Sequence, residues 1–159
     1  MRLIDKRGWG ETRREALGEA RGRVLDLRAR TPWKRCPAAE SPGPLLVSYT
    51  EFTPHAMRDL PAIYFAAERL RRECTELEGA VGVTTYWQPF RRRVGSLSVW
   101  ESEEALRRFV SLPFHVEIMR RYRSRGSLRA VSWQADAFAL RAAFRKGQKA
   151  LGEGRGWQR

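Results

Sequence analysis

The sequence predicts an α+β domain with the ferredoxin-like order β-α-β-β-α-β, and three observations carry that prediction. Four short runs rich in β-branched and aromatic residues, Leu45 to Phe52, Ala80 to Gln88, Arg93 to Trp100 and Leu128 to Ala135, are bounded by Pro, Gly or polar residues. Helical repeats of apolar residues separate the first run from the second and the third from the fourth. The middle two are joined only by the loop around Pro89, Phe90, Arg91 and Arg92, so they pair as a hairpin. An antiparallel sheet with two helices on one face accommodates this order.

Residues 1–44 precede the pattern and read as a basic N-terminal extension and linker. Thr12 and Glu15 have the spacing of a capping box, and Leu17, Ala20, Val24 and Leu27 recur on one side of the short helix that would follow. Gly18 and Gly22 each cost that helix about 1 kcal/mol relative to Ala. Pro37, Pro42, Gly43 and Pro44 have linker composition.

The domain itself spans residues 45–136. Its first strand, Leu45 to Phe52, is closed by Thr53-Pro54. Asp59 with Pro61 opens a helix that carries Ile63, Ala67, Leu70, Cys74 and Leu77 and ends at Glu78-Gly79. After the hairpin, Ser102 supplies an N-cap, while Glu103 and Glu104 favour the positive end of the helix dipole. This helix bears Leu106, Phe109 and Val110, meets Pro113 and resumes through Ile118, Met119 and Tyr122. In the last strand Val131, Trp133 and Ala135 alternate with Ala130, Ser132 and Gln134. Residues 137–159 form a basic C-terminal helix and tail. Leu140, Ala143, Phe144 and Leu151 share one side of that helix, a stripe suited to a sheet edge or a partner subunit.

Of 159 residues, 31 are basic and 18 acidic, a formal charge of +13. The charge lies mostly outside the domain: 11 − 6 = +5 over residues 1–44, 14 − 11 = +3 over 45–136 and 6 − 1 = +5 over 137–159. Two clusters remain, Arg91 to Arg93 and Arg120, Arg121, Arg123, Arg125 with Arg129. The first falls in a loop and the second near a helix C-terminus, where cations favour the dipole, so the pattern argues against a dedicated nucleic-acid surface. The longest apolar run, Ala62 to Ala67, falls far short of the roughly 18 residues of a membrane span. Charged residues recur throughout the first 30, unlike a secretory leader. A cytoplasmic protein with reduced thiols at Cys36 and Cys74 is expected.

Strand alternation places Val94 and Trp100 with Ser96 and Ser98 on one face, and Leu97 and Val99 on the other. It sends Val81, Val83 and Trp87 one way and Tyr86 the other. Both faces carry apolar side chains, yet the two helices cover only one. A homodimer closed sheet to sheet is the expected solution.

Ser98-Val99-Trp100-Glu101-Ser102-Glu103-Glu104-Ala105-Leu106, followed by Phe109, His115 and Met119, resembles the third strand and second helix of the dimeric α+β barrel superfamily. That group includes antibiotic biosynthesis monooxygenases, haem-degrading monooxygenases and spheroidene monooxygenase-like proteins. The resemblance covers residues 45–136 and implies a homodimer with a small-molecule cleft between sheet and helices. Haem-degrading members use an Asn, a Trp and a His; counted from Trp100, the Trp position falls near Phe109 and the His position near Met119. Cofactor-free quinone-forming members also rely on an Asn, and this chain contains none.

Among individual residues, His115 is the foremost candidate for catalysis. It shares a helix face with Ile118, Met119 and Tyr122, and an inward imidazole there serves either as a proton shuttle or haem ligand, or as a structural group bonded to a carbonyl near Pro113. His55, in a loop, is a weaker candidate. Tyr49, Tyr86, Trp100, Phe109, Met119 and Trp133 are the expected lining of a cleft for a small apolar or aromatic ligand, Trp87 adds aromatic surface, and core or interface packing is the competing role. Glu51 and Glu101, at strand ends, act as bases only if buried. No glycine-rich phosphate loop, paired His at metal spacing or Gly-x-Ser-x-Gly elbow is present, and no cofactor is evident beyond a haem at His115. Two functions follow: a homodimeric ligand-binding protein with monooxygenase-like chemistry implied by the resemblance, or a non-catalytic dimeric module whose basic ends bind an acidic partner or nucleic acid.

Overall fold

The hairpin forms as the sequence predicts. In the computed structural model, which describes residues 29–73, 76–154 and 157–158, Ala80–Gln88 and Arg93–Trp100 pair antiparallel around a turn that Arg92 completes in the left-handed conformation, φ 51°. In chain order the strands are β1 (Ala29–Arg30), β2 (Lys34–Arg35), β3 (Leu45–Pro54), β4 (Ala80–Gln88), β5 (Arg93–Trp100), β6 (Gly126–Ala135) and β7 (Trp157–Gln158). The helices are α1 (Leu60–Glu73), α2 (Glu103–Val110), α3 (Pro113–Tyr122) and α4 (Leu140–Gly152). All strands join one antiparallel sheet in the order β1-β4-β5-β3-β6-β7, with β2 also on the outer edge of β4. The inner order β4-β5-β3-β6 is the ferredoxin-like arrangement.

Residues 29–35, within the stretch read as extension and linker, extend the sheet. Trp33 and Ala38 pack against its core, and Cys36 is buried there. Cys36 is also disulfide-bonded, in contrast to the reduced thiol expected; Cys74 lies outside the described residues, as does the helix expected from Thr12. Gly79, just before β4, has φ 74°, and a Cβ there would lie 2.6 Å from that of Ala105, so a side chain is excluded twice over. Ser102 caps α2 by accepting a hydrogen bond from the Ala105 amide at 3.2 Å.

The largest difference from the sequence reading concerns the second face of the sheet. Helices α1, α2 and α3 lie on one face, and α4 lies on the other, where Ala143, Phe144 and Leu151 meet Val47, Tyr49, Tyr86, Leu97 and Val99. The apolar surface that motivates a sheet-to-sheet dimer is therefore covered by the chain's own C-terminal helix. Gly147 makes this seat close: a Cβ would lie 2.4 Å from Tyr49 Cγ. Beside the helix end, the buried Glu51 carboxylate accepts from Arg93 at 3.3 Å and from Arg129, while Arg129 also donates to the Leu151 carbonyl at 3.2 Å. Glu51 is thus an ion-pair anchor between sheet and α4.

A bulge between Ala80 and Gly82 corrects one face assignment. It turns Val81 into the core under α4, while Val83 and Trp87 pack toward α1 and α2, so Val81 and Val83 do not share a face.

Candidate functional site

The register of the four inner strands aligns hydroxyl side chains that lie far apart in sequence. On the face toward α1–α3, one row reads Val83, Ser98, Ser48, Ser132 and the next Thr85, Ser96, Thr50, Ala130. The flanking rows are apolar or aromatic: Ala80, Trp100 and Leu46 on one side, Trp87, Val94, Phe52 and Leu128 on the other. A band of small hydroxylic residues thus runs across the sheet between two bulky walls. It is buried at Thr85 beneath α1 and opens to solvent at Ser132 on β6.

The closed end of the band holds a carboxylate. Glu68 is buried on α1 and accepts a hydrogen bond from Thr85 Oγ1; Arg71, one turn on, donates to it at 3.0 Å. Thr31 Oγ1 lies 3.1 Å from Thr85 Oγ1 and continues the polar line toward the sheet edge. Farther along, Thr50 and Ser96 share a hydrogen bond of 2.8 Å, and Trp100 Nε1 donates to Ser98 at 2.9 Å. Tyr64, beside Trp87 at 5.5 Å between ring centres, has its phenol pKa pushed up by burial first and by the Glu68 charge second, with Arg71 opposing.

Above the wall formed by Trp100, the rings of Phe109 and His115 follow at 5.0 Å and 4.7 Å between successive centres. Burial holds the His115 imidazole below the usual histidine range, and a hydrogen bond with the Val110 backbone opposes this only in part. The ring is therefore neutral at pH 7. Its buried Nδ1 and the Trp87 indole N–H have no hydrogen-bond partner among the described residues. Unpaired buried polar atoms are costly, so these two stand out from the packing around them.

The structure divides the expected lining residues between the two faces. Trp100, Phe109 and His115 come together on the α1–α3 side, and Met119 is half-buried on the same helix as His115. Tyr49 and Tyr86 stack at 5.5 Å on the opposite face, enclosed by Phe144, and Trp133 lies on that face beneath Lys146 at 5.1 Å. One cleft does not take both groups. His55 and Glu101 are exposed. Sequence reasoning missed Glu68, although it falls on the i, i+4, i+8 line of Leu60 and Tyr64, where an acid is out of place. The residues do not fit a haem: the floor adjoining His115 is hydroxylic with a buried carboxylate, not an apolar slot.

No family model and no curated protein matches this chain. Solved structures do match its fold. A candidate monooxygenase from Lactobacillus acidophilus superposes with a TM-score of 0.54 at 11% identity, over 67% of this chain and 50% of that one. A candidate antibiotic biosynthesis monooxygenase from Nitrosomonas europaea gives 0.51 at 6% identity, over 62% of this chain and 94% of its own. A conserved protein from Methanosarcina mazei gives 0.50 at 12% identity, over 56% and 90% respectively. The chain has the ferredoxin-like α+β fold of antibiotic biosynthesis monooxygenase domains.

Proposed function

We propose that the hydroxyl-floored band between the sheet and α1–α3 binds a small planar aromatic molecule bearing a hydroxyl or carbonyl, and that its chemistry is monooxygenase-like. The observation that carries this reading is the alignment of Ser48, Thr50, Thr85, Ser96 and Ser98 between aromatic walls, with Glu68 at its closed end. Aromatic walls offer stacking surface, and small hydroxyls orient a polar edge without filling the space a ring requires. Neutral His115 supplies a base: its Nδ1 lone pair takes the proton of a phenol, leaving an electron-rich phenolate. The monooxygenases among the structural neighbours support the reaction class, and the residues assigned to it are this chain's own.

1-Naphthol serves as the probe. Its oxidation by O2 to 1,4-naphthoquinone and water balances without a further reductant: the C4–H bond is replaced by a C=O bond, the O–O bond breaks, and the second oxygen leaves as water with the phenolic and C4 hydrogens. Quenching of tryptophan fluorescence reads binding, and an oxygen electrode with quinone absorbance reads turnover. Saturable binding that weakens about tenfold in Thr50→Val/Ser96→Ala, with oxygen uptake lost in His115→Gln, is the expected result. Unchanged affinity in the double variant overturns the site. Binding without oxygen uptake overturns the chemistry and leaves a binding protein.

A further inference from the structure

On the outer side of the same helix layer, α1 and α3 enclose a half-open groove of about 250 Å3. Its floor is apolar, made by Ala66, Phe114, Ile118 and Tyr122. Phe65 stands at its rim, edge-on to Tyr64 at 6.1 Å between ring centres, with 70% of its surface exposed. The two walls carry one guanidinium each, Arg69 from α1 and Arg121 from α3, against the single carboxylate of Glu117. Neither arginine forms an ion pair among the described residues, and Arg121 is held over the Tyr122 ring at 5.6 Å.

We infer that this groove is a second binding site, separate from the hydroxyl band, for a small amphipathic organic anion: an aromatic body on the Phe65 side and a carboxylate or sulfonate between Arg69 and Arg121. Paired guanidiniums above an apolar floor match that chemistry, since each offers a fork of donors to an oxyanion while the floor takes the hydrophobic part. The local balance of two guanidiniums against one carboxylate favours a small anion as occupant. The groove volume lies just below the range of drug-sized pockets, which points to a ligand of one or two rings.

The full chain is titrated with 8-anilinonaphthalene-1-sulfonate, followed by its fluorescence, and the bound probe is competed with 1-naphthoate. One saturable site is expected, weakening as NaCl is raised. Its affinity is expected to fall at least tenfold in Arg69→Glu/Arg121→Glu and in Phe65→Ser, and to be unchanged in His115→Gln. The substituted groove residues are exposed, and circular dichroism verifies that the fold is retained. Full affinity in the double charge variant, absence of saturable binding to the wild type, or loss in His115→Gln alone each overturns the inference. The His115→Gln control also separates failure of this groove from failure of the sheet-side site.

Discussion

Gly147→Ala is the sharpest test of how α4 meets the sheet, because two opposing effects there differ in sign. Gly147 lies inside α4, and replacing an interior helical glycine with alanine on a free surface stabilises by about 1 kcal/mol. Here the added methyl would stand 2.4 Å from Tyr49 Cγ, 2.8 Å from its Cβ and 2.9 Å from Cδ1, where carbon atoms normally keep about 3.5 to 4 Å. Tyr49 has little room to yield: it is fully buried, stacked on Tyr86 at 5.5 Å and edge-on to Phe144 at 5.8 Å. Forcing an extra carbon into such packing costs about 1–3 kcal/mol, and more where the neighbour cannot shift. With three contacts inside the normal limit the upper end applies, so the net effect is a loss of about 1–2 kcal/mol. At this chain length that lowers Tm by roughly 2–4 °C per kcal/mol. Thermal unfolding followed by near-ultraviolet circular dichroism reads it. A Tm above that of the wild type would mean that only the helix-propensity gain is felt and that α4 is not seated on Tyr49.

Three other outcomes follow from the same contacts. Removing residues 137–159 uncovers Val47, Tyr49, Tyr86, Leu97 and Val99, so the shortened chain should self-associate in light scattering more strongly than the full chain; equal oligomeric states would refute α4 as the cover of that face. Glu51→Gln removes the anchor shared by Arg93 and Arg129 and should cost about 1.5–3 kcal/mol in urea unfolding with an unchanged m-value, whereas a loss below 0.5 kcal/mol, on the order of a surface substitution, would place the cluster in effective solvent. His115 has a folded pKa below its ordinary 6.5, so the unfolded chain binds the proton more readily. Its contribution to stability is fully present above about pH 6.5 and declines as pH falls from there toward the folded value. Wild-type Tm should therefore fall over that window more steeply than that of His115→Gln, and parallel profiles would show that the imidazole is solvated.

The inner fold was legible because each element carries its own local signal. Pro and Gly bound the strands, Ser102 and the acids after it start α2, and the short Pro89 loop leaves β4 and β5 no arrangement but a hairpin. The cover of the second face was not legible. Residues 138–151 show an amphipathic stripe, and such a stripe has the same period whether it meets a sheet face, a sheet edge or another subunit. Gly147 was the available clue, as a glycine inside an apolar helical stripe indicates close approach. The division of Tyr49, Tyr86 and Trp133 from Trp100, Phe109 and His115 needs strand parity carried across four strands, and the bulge at Ala80/Gly82 resets that parity within β4.

The hydroxyl band was half visible, since Ser96 and Ser98 share the face of Val94 and Trp100 in the sequence itself. Its extent depends on register, which sets Ser48 and Thr50 on β3 and Thr85 on β4 beside them. Stability does not account for that choice. Serine is a poor strand former compared with Val or Ile, and each hydroxyl in place of an apolar group under the helices forgoes on the order of 1 kcal/mol of burial. The opposite face of the same strands shows the alternative, with Val47, Leu97 and Val99 at the neighbouring positions packed beneath α4. Each side of the sheet buries one carboxylate, but Glu51 on the α4 side is held by two arginines that anchor the helix, whereas Glu68 on the α1–α3 side closes a band of small hydroxyls with an unpaired imidazole nitrogen nearby. A hydroxyl band of this kind is where binding and catalysis are expected, which is why we propose function on the α1–α3 side and structural closure on the α4 side.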